Sequence, residues 1–351
     1  MIIFDKIQEH QNKNLPFVAY RKPKSKKING VFCKTDDLIF TEDFSDSGFV
    51  FSPFYANERS ILFPIENSDL ITQEYNFDFS STHIKLLDTS NLDKKEHVDL
   101  VQKTIDKIKE SELKKIVVSR KEEVLISDFK IIDIYKKLLE SYTNAFVYMW
   151  YHPKIGLWLG ATPETLLEIN GDKFKTMSLA GTQVSKEGPI SWGAKEIEEQ
   201  QMVTDFIRNQ VQGISENLSI EEAETVRAGS LLHLRSRVEG RLKSNANLKE
   251  LIRALHPTPA VCGLPRESAK EFILNNENYK RAYYTGFLGE LNMYSENSEN
   301  SSHLFVNLRC MKVSENKAQV FVGGGITKDS DAEKEWLETV AKTSTMKNML
   351  Q

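Results

Sequence analysis

Three adjacent glycines, Gly323, Gly324 and Gly325, follow directly on the apolar run Ala318-Gln-Val-Phe-Val322. Backbone without side chains after a strand either approaches something closely or takes a positive φ, and any fold of this chain has to provide for one of the two. Before them, Leu304-Phe-Val-Asn-Leu-Arg309-Cys-Met-Lys-Val reads as another strand, and after them a helix starts near Ser330 and Asp331. In that helix Glu335, Glu338 and Lys342 stand at i, i+3 and i+7 and share one face. Trp336, Leu337 and Val340 point the other way and read as core anchors. Arg309, a glycine turn and this charged stripe could converge on a small anion and a divalent metal. A hairpin, a turn and a helix with an exposed Glu338–Lys342 pair accounts for the same residues.

A chain of 351 residues can form one large domain or two. Its formal net charge of −4 argues against a dedicated nucleic-acid binder. The basic run Arg21-Lys-Pro-Lys-Ser-Lys-Lys27 reads as a solvated loop. Cys33, Cys262 and Cys310 are odd in number and lack metal-ligand spacing, which fits a reducing compartment. No stretch approaches the roughly 18 apolar residues of a membrane span, and no signal peptide is legible. A soluble, cytoplasmic protein with no membrane partner is expected.

In the first 93 residues, short apolar runs (Val31-Phe, Leu38-Ile-Phe, Phe49-Val-Phe, Ile61-Leu-Phe) alternate with polar turns and read as strands. Val98, Val101, Ile105 and Ile108 give residues 94–113 the period of an amphipathic helix. Lys115 then opens the β-branched strand Lys115-Ile-Val-Val-Ser-Arg120. A lysine there is either a solvated strand end or, if the fold desolvates it, a possible base. Residues 130–142 read as a helix, and Ala145-Phe-Val-Tyr-Met-Trp-Tyr and Gly156-Leu-Trp-Leu-Gly160 as strands. Pro163 fixes the backbone before Glu164, whose apolar flanks would raise its carboxyl toward a useful acid. The alternative is a turn glutamate at a short helix start. Leu179-Ala180-Gly181-Thr182 ends a strand. Residues 194–214 read as a helix in which Glu199 falls on the apolar stripe beside Val203 and Phe206. A carboxylate there needs a cation, and a metal is a natural one, although a first-turn residue reaching solvent fits too. His256-Pro-Thr-Pro-Ala260-Val-Cys-Gly263-Leu-Pro265 is a rigid loop. A helix over 266–275, a strand near Tyr283 to Gly289 and a polar loop over 295–302 complete the reading.

Taken in order, Lys115-Ile-Val-Val-Ser-Arg120, Gly160-Ala-Thr-Pro-Glu164, Leu179-Ala-Gly-Thr182, Glu199, His256-Pro-Thr-Pro-Ala260, Leu308-Arg309-Cys310, Gly323-Gly-Gly325 and Glu335-Trp-Leu-Glu338-Thr-Val-Ala-Lys342 resemble the chorismate-utilising enzymes. That family includes isochorismate, salicylate, anthranilate and aminodeoxychorismate synthases. The likeness runs from about residue 94 to the C-terminus; the N-terminal quarter carries none of its motifs. It implies one α+β domain over residues 1–351, with two stacked mixed or antiparallel sheets flanked by helices as an αββα sandwich. It also implies Mg²⁺ and the substrate chorismate, with no amidotransferase subunit.

Water-using members of the family resemble this chain in having lysine at Lys115, where the amine-using ones typically have glutamine. Where aminodeoxychorismate synthases carry a nucleophilic lysine, this chain has Ala180. Both positions imply isochorismate synthase, with the product directed to menaquinone or siderophore synthesis. The resemblance assigns Lys115 as general base and Glu164 as general acid. It gives Glu199 and Glu338 as Mg²⁺ ligands, with Glu335 reached through water. Gly181, Thr182, Ala260, Arg309, Gly323, Gly325 and Lys342 would contact the substrate. Two positions depart from the family pattern: Gln200, where relatives often have histidine, and Glu290 after Gly289. Salicylate synthase, which goes on to eliminate pyruvate, shares the same acid and base. A non-catalytic carboxylate binder has no need of an opposed pair, and a phosphate-binding protein built on the glycines lacks any phosphate-loop fingerprint.

Overall fold

The run Phe146-Val-Tyr-Met-Trp150 carries large apolar side chains at successive positions, so both faces of such a strand need cover. The computed structural model describes residues 2–55, 57–76, 91–126, 130–184, 190–228, 231–294 and 300–350, and in it that cover is layered. One sheet of nine strands runs in the order Gly263–Leu264, Lys115–Leu125, Lys317–Ile326, Cys310–Ser314, Gly156–Thr162, Phe146–His152, Phe17–Arg21, Lys27–Cys33 and Ser68–Glu74. The other, of ten, runs Ser215–Ile220, Leu231–Leu242, Lys173–Val184, Thr165–Asn170, Asn300–Val306, Phe287–Tyr294, Gly48–Ser52, Ser60–Pro64 and Phe40–Thr41, with Glu224–Ala228 paired beside Leu231–Leu242. Every pairing among the described residues is antiparallel.

The helices are α1 (Ile2–Asn12), α2 (Asn91–Lys109), α3 (Ile131–Ser141), α4 (Ala194–Val211), α5 (Leu248–Leu255), α6 (Arg266–Asn276) and α7 (Ala332–Lys347). Helices α1, α2, α3, α6 and α7 pack on the first sheet, and α4, with α5 against it, packs on the second. Val147 and Met149 join the core under α1 and α3, whereas Phe146, Tyr148 and Trp150 enter the layer between the sheets. There Phe146 stacks on Phe305 at 4.2 Å and Trp150 on Phe63 at 5.0 Å between ring centres. This is the expected αββα sandwich, antiparallel throughout. Among the described residues no helix is long and apolar enough to cross a membrane.

The N-terminal segment belongs to both layers. Phe17–Arg21 lies beside Phe146–His152, and Gly48–Ser52 lies beside Phe287–Tyr294. Its helix α1 was not anticipated. The basic run is only partly a solvated loop: Arg21 is buried, with Nη1 on the Leu139 carbonyl at 2.5 Å. Lys22 and Tyr20 account for Glu290, which accepts from both at 2.6 Å.

Two passages between the sheets run side by side. Pro163 and Glu164 link Gly156–Thr162 in the first sheet to Thr165–Asn170 in the second. Asn307, Leu308 and Arg309 link Asn300–Val306 in the second back to Cys310–Ser314 in the first. The Val306 N–H donates to the Glu164 carbonyl, and the Ala161 N–H to the Arg309 carbonyl, each at 3.0 Å.

Several local expectations change here. Residues 304–313 form two strands in different sheets, because Arg309 takes a φ of 47° and ends the extended run. Glu164 stands between strands and starts no helix. The three glycines make no turn; they stay in the strand, opposite Ser119, Val118 and Val117, and none has a positive φ. Leu337 is 63% exposed and anchors nothing, whereas Glu335 is buried: α7 turns its charged stripe inward. The strand expected from Tyr283 begins at Phe287. Of the polar loop, 295–299 lie outside the described residues and 300–302 are strand.

Candidate active site

Both passages open onto one cavity between the sheets, enclosing about 880 Å³ when its mouth is counted. Glu164, Gly181, Thr182, Glu199, Ala260, Arg309, Gly323, Gly325, Glu338 and Lys342 all line it. Residues from two sheets, two helices and a loop are thus brought together as expected. Lys115 and Glu335 stand just behind the lining.

Lys115 is no solvated strand end. It is 1% exposed, and its Nζ lies 2.6 Å from Glu199 Oε1. Gly325 explains how that pair fits against the sheet. A Cβ on Gly325 would stand 2.4 Å from Glu199 Oε1, 2.8 Å from Lys115 Cε and 3.3 Å from Lys115 Nζ. The missing side chain is therefore what leaves the ion pair its place and opens Lys115 toward the cavity. Gly324 faces the other way, and a Cβ there would meet only Glu335 Oε2, at 3.5 Å. Gly325→Ala should consequently lower turnover by on the order of 10²-fold, the scale of an ångström-sized misplacement. Gly324→Ala should stay close to the parent rate, and steady-state assays of the two variants check the contrast.

Glu164 is 4% exposed, and burial pushes its carboxyl up to about 8, with the charges of Lys115 and Arg309 pulling only partly against that. At neutral pH it holds a proton to give. Arg309 reaches the cavity from its strained position, and its Nη1 is buried with no hydrogen-bond partner among the described residues. A planar guanidinium with a free donor suits a carboxylate.

The three predicted metal-site glutamates each meet an ammonium through Oε1. Glu199 meets Lys115 at 2.6 Å, Glu335 meets Lys195 at 2.5 Å and Glu338 meets Lys342 at 2.6 Å. Burial raises the Glu335 carboxyl, and the nearby Glu338 charge adds to the rise. Burial would raise Glu338 as well, but Lys342, Lys195 and Arg309 outweigh it and hold it low. Among the described residues no three acidic, histidine or cysteine side chains gather closely enough to enclose a metal alone. Oxygen donors from α4 and α7 nevertheless fit a hard cation such as Mg²⁺, which takes one or two carboxylates and keeps its waters.

The lining also includes residues that the sequence reading missed: Lys195, Glu196, His233, Tyr284 and Thr285. Lys195 was accessible to reasoning, since it stands four residues before Glu199 on the same helix face. Nothing in Leu231-Leu-His233-Leu marked the histidine. Burial, then Arg309 and Lys342, push His233 down to about 3, so it is neutral. Its Nδ1 lies 3.0 Å from the Gly181 carbonyl, which can only accept, so Nδ1 carries the proton. Gln200 Nε2 lies 2.8–3.1 Å from the hydroxyls of Ser178, Thr204 and Ser236, a polar knot that fixes α4 on the second sheet.

A family model described as "Chorismate binding enzyme" matches residues 59–351. The chain belongs to that family. The match takes in Ser60–Pro64 and Ser68–Glu74, two strands before residue 94, where no motif was legible. Isochorismate synthase EntC of Escherichia coli (strain K12) is 31% identical over 204 residues, covering 55% of this chain and 51% of that protein. The "salicylate biosynthesis isochorismate synthase" of Pseudomonas aeruginosa is 27% identical over 274 residues, covering 75% and 56%. This family member thus spans about half the length of the curated relatives it matches. The crystal structure of DhbC from Bacillus anthracis shares its fold, with a TM-score of 0.81 at 24% identity over 98% of this chain and 99% of that one.

Proposed function

We propose that this chain is an isochorismate synthase, adding water at ring C2 of chorismate and expelling the C4 hydroxyl. What supports the reading is a buried, protonated Glu164 on the cavity and a buried Lys115 just behind its wall at Gly325. A carboxylate-binding protein has no use for that pair. Lys115, as the neutral amine left once its own proton has gone, removes a proton from the entering water, and Glu164 gives its proton to the C4 oxygen, which leaves as water. One water enters and one leaves, so the reaction is an isomerisation. Arg309 and Lys342 hold substrate carboxylates, and the 69° φ of Gly181 bends its strand toward the cavity beside Thr182. Ala260 keeps the facing loop small. Glu199 and Glu338 would hold Mg²⁺, with Glu335 reached through water, and the bound ion would supply positive charge beside the ring carboxylate. Ala180, in the cavity wall, offers no amine for a covalent intermediate. The names of the E. coli and Pseudomonas relatives point the same way.

Protein incubated with chorismate and Mg²⁺ should yield isochorismate on chromatography, without ammonia or an amidotransferase. EDTA should stop the reaction and added Mg²⁺ restore it. Salicylate together with pyruvate would replace this reading by salicylate synthase. An aminated product, or a lysine adduct in intact-mass spectra, would overturn it.

A further inference from the structure

Val117, Val261, Tyr284 and Thr285 form one wall of the cavity, and they come from three separate segments. Behind that wall Arg281 is 0% exposed. Its Nη2 donates to the Val117 carbonyl at 2.7 Å, and its Nη1 to the Val261 carbonyl at 2.9 Å and to Thr285 Oγ1 at 3.3 Å. Nε and Nη2 also bond the two carboxylate oxygens of Glu277, at 2.8 and 2.5 Å. Glu277 in turn accepts from the Ser119 N–H and hydroxyl at 2.8 and 2.7 Å. The guanidinium lies 4.7 Å from the Phe54 ring centre and 5.9 Å from that of Tyr284.

The segment that carries Arg281 is strained. Ala282 has a φ of 49° and Thr285 one of 60°. A β-branched residue at positive φ persists only where its surroundings over-determine it, and such residues concentrate at ligand-holding segments. The bonds from Arg281 provide that constraint. They also reach the strand that starts at Lys115, two residues before Val117.

We propose that Arg281 is a positioning residue, fixing residues 115–118, the 256–263 loop and the 282–285 turn in one register, so that the cavity wall and Lys115 keep their relation. The inference rests on reading the cavity as catalytic. Only a planar fork serves all these acceptors at once; an ammonium keeps the charge but not the geometry.

Arg281→Lys retains a cation opposite Glu277 and tests the geometry alone. Its kcat should fall by on the order of 10²-fold, the scale of a misplaced catalytic group, with KM for chorismate changed far less. Hydrogen–deuterium exchange should quicken in residues 115–118, 256–263 and 282–285 and stay unchanged elsewhere. If Arg281→Lys does not fold, the paired variant Arg281→Leu with Glu277→Leu, which buries no lone charge, takes its place. A parent-like kcat, or exchange that quickens across the whole chain in proportion to lost stability, would overturn the proposal. Should the parent protein form no isochorismate, the functional reading fails by itself, and the exchange pattern still decides whether Arg281 clasps these segments.

Discussion

Glu164→Gln should cut turnover by on the order of 10²–10⁴-fold, the usual worth of a positioned acid, while making the protein more tolerant of alkali. Both effects have one cause. Burial between the sheets pushes the Glu164 carboxyl up to about 8, so the folded protein keeps a proton there that the unfolded chain, near the ordinary 4.5, has released. Between those two values the native state binds more protons, and stability therefore falls as pH rises, by about 1.4 kcal/mol per pH unit for one such group. The catalytic rate should share the upper limit, declining through about 8 as the acid loses its proton. Glutamine cannot ionise. The stability difference between variant and parent should thus grow in the variant's favour from pH 5 to pH 8, which denaturant midpoints at several pH values measure. An unchanged alkaline limb in a Glu164→Gln enzyme that still turns over would place the acid elsewhere.

Much of the site was legible because its residues are chemically unusual where they stand. Three glycines in a strand ask for close approach, and the structure supplies it at Gly325. A glutamate beside an apolar helix face asks for a cation, and Glu199 has one in Lys115. What the sequence could not reveal was which cation, since the partner lies 84 positions away and only sheet-on-helix packing joins them. The break at Arg309 was equally opaque. Leu308-Arg309-Cys310 contains neither glycine nor proline, and its positive φ follows from the neighbouring passage at Glu164 rather than from local preference. Helix α1 shows the opposite case: Ile3, Phe4 and Ile7 carry helical spacing that could have been read.

Lys115→Ala should abolish most turnover, by on the order of 10²–10⁴-fold if the lysine is the base. Activity alone cannot establish that role, because the residue is also half of a buried ion pair. Removing one partner of such a pair is destabilising by about 3–5 kcal/mol, since the other charge is left without compensation. The two halves are unequal here: the Lys115 side chain is 1% exposed and that of Glu199 is 14% exposed. Glu199→Gln strands the more deeply buried charge and should lower the melting temperature more than Lys115→Ala does. Lys115→Met combined with Glu199→Gln removes both charges and should regain most of the lost stability. It should not regain turnover, because it lacks both the amine that would accept the proton of water and the Glu199 carboxylate assigned to Mg²⁺. A double variant that is stable and still converts chorismate within tenfold of the parent rate would make the pair purely structural. The base would then have to be sought among the groups lining the cavity, and neutral His233, whose Nε2 has no partner among the described residues, would be the first to replace.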